Sequence, residues 1–224
     1  MINVSESWNA KQKNLRIYLS KQNTFDKGIQ LLLDMHSLLH DRKVHNISGE
    51  TYYHLLWENL KEEACKIISG RETSILWNIW HITRIEDLVS NILIGNKETV
   101  FNEKMQKKLK IEIKDTGNAL VLSEIELLNK NICVKELKEY RTKVGKSTKR
   151  IIENITFNEI KRKVEKEQLD KIMLNGGVTK DPKSIWLLDF WARKNVLGLI
   201  MMPLTRHQVV HLNDCFKIKM KYNK

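Results

Sequence analysis

Apolar residues recur along this chain at intervals of three and four, the period of helices that bury one face. From Asp26 to about His40, the residues Ile29, Leu32, Leu33, His36, Leu39 and His40 fall along one side of a helix whose start Thr24 or Asp26 caps. Thr51 to Ile68 repeats the pattern with Tyr53, Leu56, Trp57, Leu60 and Ala64, and ends at Gly70. Thr73 to Ile94 places Ile75, Ile79, Ile82, Ile85, Leu88, Val89 and Ile92 on one long run that Gly95 stops, which predicts a core helix. Thr99 to Lys114 is expected to be a connecting helix plus loop, because KIEIKD alternates like a strand but is too short to pair with anything else.

A short helix around Ser123 to Lys130 should lead into a long amphipathic one over Val134 to Ile155, carrying Leu137, Tyr140, Val144, Thr148, Ile151 and Ile155. Asn175, Gly176 and Gly177 mark a turn. Ser184 to Met201 is a further helix, packed with Trp186, Leu187, Phe190, Trp191 and Leu197. Pro203 then breaks or kinks it, or opens a last helix from Leu204 to about Lys219. The spacing therefore predicts an all-α chain, a bundle of long amphipathic helices with shorter connecting ones, folded as a single domain over 1–224.

Composition narrows the class. Apolar residues at 42% against 29% charged, with two prolines, nine glycines and three cysteines, exclude a disordered, collagen-like or disulfide-stapled chain. No apolar run reaches the roughly 18 residues a bilayer span needs, and the longest, around Val196 to Leu204, contains Gly198 and Pro203. The opening MINVSESWNAKQKN lacks a basic segment followed by an apolar one, so a cytoplasmic location without membrane contact is expected. Cys65, Cys133 and Cys215 show no CxxC spacing and are taken as small apolar residues in helices.

A net charge of +12 raises nucleic acid as a partner. The lysines of 104–114 and 135–166, however, alternate with Glu103, Glu112, Glu136, Glu139, Glu153, Glu159, Glu165 and Glu167. Mixed signs at helical spacing describe a solvated face rather than a phosphate track, so nucleic acid is not the expected partner. A basic helical interaction protein, binding nucleic acid or another protein without catalysis, remains the alternative function.

The informative polar residues are histidines on apolar stripes. His207 and His211 in TRHQVVHLND are four apart, which at about 100° per residue puts both imidazoles on one side of a helix. Asp214 lies nearly on the same stripe, as a further ligand or as an acceptor fixing an imidazole tautomer. A zinc-protease motif would need glutamate after the first histidine, where this chain has Gln208. A third ligand has to come from another helix, and His81, amid Trp77, Ile82 and Ile85, is the obvious partner; the alternative for each is a hydrogen-bonded core histidine.

The segments WNIWHITRIEDLVSNILI and WLLDFWARKNVLGLIMMPLTRHQVVHLND, together with QLLLDMHSLLH and KELKEYRTKVGKSTKRII, resemble the DinB-like metalloenzyme superfamily, specifically its longer members. The resemblance covers Ile29 to about Lys219 and implies a DinB-like four-helix bundle with His81, His207 and His211 as ligands of one divalent transition metal, zinc or nickel first. Three imidazoles leave coordination positions open, which suits activation of water or of a thiol. The implied activity is that of a metal-dependent hydrolase or a low-molecular-weight thiol transferase acting on a small molecule, and a homodimer is an assembly it allows.

Other residues carry open alternatives. Arg84, three after His81, is either a clamp for an anionic substrate or a salt-bridge partner. Glu86 and Asp87 point round the helix from His81, which favours a bundle-stabilising or outer-shell part. His36 and His40 form a second HxxxH, as acid and base in a pocket or as core packing. Arg206 is expected to be exposed, while His45 and His54 show no pattern. The tryptophans are expected to fill the core and wall the site.

Overall fold

A computed structural model describes residues 5–70 and 72–223. Its helices are α1 (Ser5–Leu19), α2 (Phe25–Leu39), α3 (Arg42–His45), α4 (Tyr52–Trp57), α5 (Glu62–Lys66), α6 (Ile75–Asp87), α7 (Glu103–Leu109), α8 (Leu122–Asn131), α9 (Val134–Asn154), α10 (Lys166–Leu174), α11 (Pro182–Ala192), α12 (Val196–Met201) and α13 (His207–Tyr222). The described residues form no sheet, only an isolated bridge between Lys163 and Asn195. The all-α expectation therefore holds. KIEIKD is extended but unpaired, as its length dictated.

The core is a ring in which α2 packs on α9, α9 on α6, α6 on α13, and the turn preceding α13 back on α2. α6 is central, since every residue from Ile75 through Ile94 is buried. Ser74 starts it by accepting the Trp77 N–H at 3.0 Å. Beyond Asp87 the helix widens into a π-helical run over Leu88–Ile94 before Gly95.

Four elements differ from the sequence expectation. The 51–68 segment is two short helices, not one, because Asn59 adopts a left-handed φ of 51° and Lys219 Nζ caps the freed carbonyls of Leu55 and Glu58 at 2.8 and 2.6 Å. The 184–201 segment starts at Pro182, capped by Asp181, and is interrupted before Asn195, whose side chain accepts the Gly198 N–H at 2.9 Å and starts α12 anew. α10 sits in a stretch notable in sequence only for its charge and buries just Gln168 and Ile172. Finally, α1 precedes the helix expected to be first and buries Trp8, Gln12, Leu15 and Leu19 on one stripe against α2.

Pro203 neither ends the helix nor starts a new one. α12 passes through a π turn, Met202–Arg206, directly into α13. Within this turn Thr205 Oγ1 bonds Ile200 O and Met201 O at 2.8 and 3.0 Å. Gln12 of α1 donates to Met201 O as well and bonds Thr205 Oγ1 at 2.9 Å. No described helix is long and apolar enough to cross a membrane. Several of the interleaved lysines pair on the surface, such as Lys143 with Glu139 at 3.5 Å and Lys171 with Glu98 at 2.5 Å.

Candidate metal centre

A fully buried helix such as α6 must find a partner for each polar side chain it carries, and these partners build the site. Trp77, Trp80, His81 and Arg84 lie at helical spacing and reach successive carbonyls of one extended segment. Trp77 Nε1 donates to Gly117 O at 3.1 Å, Trp80 Nε1 to Asp115 O at 3.1 Å and Arg84 Nε to Lys114 O at 2.7 Å. His81 Nδ1 lies 2.8 Å from Thr116 O. A carbonyl only accepts, so Nδ1 carries the imidazole proton and Nε2 presents its lone pair. Gly117, at φ 77°, lets the chain pass close to Trp77. The Trp77 ring stacks on His81 with centroids 4.7 Å apart and planes 8° apart.

The last helix supplies the other two imidazoles. The π turn before His207 sets the angular phase of α13 relative to α12, and with it the direction of His207 and His211. His207 Nε2 lies 3.1 Å from His81 Nε2. His211 Nδ1 lies 2.7 Å from Asn78 Oδ1, while the amide nitrogen of Asn78 donates to Ser74 O at 2.7 Å. That bond fixes the amide orientation, so Asn78 accepts from His211 Nδ1 and Nε2 is the nitrogen His211 offers. One nitrogen from each of His81, His207 and His211 lies within 4.8 Å of the others.

Burial disfavours charge on all three rings. Desolvation, with His211 next, lowers the pKa of His81 to about 3. Desolvation, then His211 and His81, holds His207 well below its usual range, and desolvation lowers His211 to about 4. The rings are neutral at pH 7, the state in which imidazole ligates. Two neutral imidazoles with Nε2 atoms 3.1 Å apart need either a proton in line between them or a cation shared by both. Zn–N bonds of about 2.0–2.1 Å in a tetrahedron separate ligand nitrogens by about 3.3 Å, so the donor set fits such an ion. His81 is buried, while His207 and His211, the two on α13, are partly exposed.

The remaining candidates fall elsewhere. Asp214 pairs with Lys217 at 2.9 Å, and the atoms facing the Nδ1 nitrogens of His81 and His211 belong to Thr116 and Asn78. The acceptor role expected of Asp214 falls to these two, which face the Nδ1 nitrogens from α6 and from the 114–117 segment, whereas Asp214 shares α13 with His207 and His211 and pairs along it. Arg84 is buried, with Nη1 3.4 Å from Asp87 and its guanidinium 4.6 Å from the Phe101 ring centroid, an ion-pair position rather than an open clamp. Asp87 also accepts from the N–H groups of Val100 and Phe101 and from Tyr140 Oη, and so ties α6 to α9. Gln208 turns away from the three histidines to donate to Ile82 O at 3.1 Å. Arg206 is exposed, Trp80 and Trp191 are buried, and Trp186 is 47% exposed, so that ring is not core.

His36 and His40 form a separate buried group with Glu86. Arg141 of α9, unremarked in the sequence, is buried beside it and donates to Leu39 O at 2.9 Å and Gln208 Oε1 at 3.0 Å. Desolvation, outweighing the attraction of Glu86, lowers the pKa of His40 to about 3. Desolvation works the other way on Glu86, but His40 and His36 outweigh it and hold the carboxyl well below its usual range. Asn78, Thr116, Arg141 and His45 were the participants that spacing missed. Asn78 was the most accessible of them, a polar residue three before His81 on an apolar helix.

No protein-family model matches the chain, and no curated protein matches it significantly. The DinB-like resemblance thus rests on the motif residues themselves.

Proposed function

We propose that this is a divalent-metal protein of the DinB-like type, with His81, His207 and His211 as ligands, acting as a metal-dependent hydrolase or thiol transferase on a small molecule. The observation that carries the metal reading is the convergence of three neutral imidazoles from α6 and α13, two of them with Nε2 atoms 3.1 Å apart. An all-nitrogen set favours zinc or nickel. When bound, the ion would acidify a coordinated water or hold an incoming thiol as thiolate. The chain's own contribution is positioning: Thr116 and Asn78 fix two tautomers, Trp77 holds the His81 ring by stacking, and His207 and His211 are only partly exposed. The DinB-like bundle, with α2, α6, α9 and α13 as its four principal helices, belongs to the same reading.

The test is elemental analysis of protein purified without an affinity tag, beside His207→Ala. Metal bound in the wild type and depleted from this centre in the variant supports the proposal. A wild type with no metal, including after incubation with zinc or nickel, overturns it.

A further inference from the structure

The second histidine pair meets a carboxylate. His36 Nε2 lies 3.1 Å from Glu86 Oε1, and His40 Nε2 lies 3.1 Å from Glu86 Oε2. All three residues are buried, and one ligating atom from each falls within 4.8 Å of the other two. The two contacts differ in kind. The His36 contact is a hydrogen bond. His40 Nε2 and Glu86 Oε2 are equally close, an ion-pair contact in which neither atom has a hydrogen-bond partner among the described residues. Two buried polar atoms this close and without a hydrogen bond can be satisfied together by a cation that both ligate. Arg141 does not supply that cation, because its Nη1 is 3.8 Å from Oε2 while Leu39 O and Gln208 hold the guanidinium.

The surroundings fit a ligand set. His36 Nδ1 lies 2.7 Å from Nε2 of the half-buried His45, so an ion that displaces the proton His36 Nε2 donates to Glu86 leaves Nδ1–H to donate to His45, the outer hydrogen bond that orients a ligating imidazole. His40 Nδ1 faces Gly145 of α9, where a Cβ would stand 2.6 Å from it, so only glycine leaves the ring its place.

We propose that His36, His40 and Glu86 form a second, enclosed divalent-metal site that joins α2 to α6 and is independent of the three-histidine centre. Two imidazoles and one carboxylate are a harder donor set than three imidazoles and suit iron(II), manganese(II) or zinc. Complete burial withholds the ion from substrate and makes it a resident, slowly exchanging one.

Untagged protein stripped with a chelator and titrated with zinc, and separately with manganese(II), tests this. The wild type should take up two zinc equivalents, one released to chelator quickly and one slowly. His207→Ala should keep only the slow one, and Glu86→Gln or His40→Gln only the fast one. Gly145→Ala, which leaves every ligand in place but crowds His40, should weaken the slow site alone. A wild type that binds no zinc or manganese beyond what His207→Ala abolishes overturns the proposal without any core variant having to fold. A single equivalent that survives His207→Ala and is lost in Glu86→Gln would instead support this site and overturn the three-histidine reading.

Discussion

The two histidine groups share the HxxxH spacing and the same central helix, but they differ in charge and in access. His81, His207 and His211 form a set without a carboxylate, whose two members on α13 are partly exposed. His36, His40 and Glu86 form a sealed set in which an ionised carboxylate is balanced by a buried arginine. The spacing of two histidines therefore fixes only that their rings share a side. What faces them from α6 decides what they can do: at His211 it is the neutral amide of Asn78, and at His36 and His40 it is Glu86. Neutrality with access suits an exchangeable ion and a substrate, whereas charge with burial suits an element that holds helices together.

Removing the charge partner should break the comparison most severely. In metal-free protein, Arg141→Met takes the guanidinium from beside Glu86 and leaves the buried carboxylate only the imidazoles of His36 and His40, which should cost about 3–5 kcal/mol in urea denaturation. Adding Glu86→Gln should recover part of that loss. Next in size, Gly145→Ala should destabilise by about 1–3 kcal/mol through overpacking against His40 while leaving zinc binding at the three-histidine centre unchanged. Asn78→Ala removes the acceptor that orients His211 and should weaken zinc binding at that centre about 10- to 100-fold by competition titration.

Acid should act on both groups in one direction. Desolvation depresses His40 and His81 from 6.5 to about 3, and desolvation, aided at His45 by His36, depresses His45 and His211 to about 4. The unfolded chain thus binds more protons than the folded one below pH 6.5. The stability these neutral rings contribute is fully present above 6.5 and is lost as pH falls toward 4 and then 3. Urea midpoints of metal-free protein should decline across that window and stay level from pH 7 to 8. The smallest effect belongs to Asp214→Asn, which touches the surface pair with Lys217 and should change zinc affinity by less than about twofold, consistent with the modest worth of exposed ion pairs.

Much of this was legible because helices repeat. The stripe from Ile75 to Ile92 announced α6, and HxxxH announced the pairing of His207 with His211. The rest depended on contacts distant in sequence. Nothing near Asn59 signalled that Lys219 would cap the turn there, so the 51–68 segment looked continuous. Pro203 looked like a boundary because part of what holds the π turn around it, the Gln12 amide bonded to Thr205, comes from 191 residues upstream. The α1 stripe of Trp8, Leu15 and Leu19 was visible but sparse among polar residues. Glu86 was the hardest to place: its angle from His81 was right, but periodicity does not reveal which helix lies opposite, and that helix carries His36 and His40.

The most direct test of the three-histidine centre is an anomalous difference map from crystals of untagged protein grown with zinc, with data collected on both sides of the zinc edge. The account predicts a peak about 2.0–2.1 Å from Nε2 of His81, His207 and His211 together. A map with no peak there, with the Nε2 atoms of His81 and His207 still about 3.1 Å apart, would contradict it.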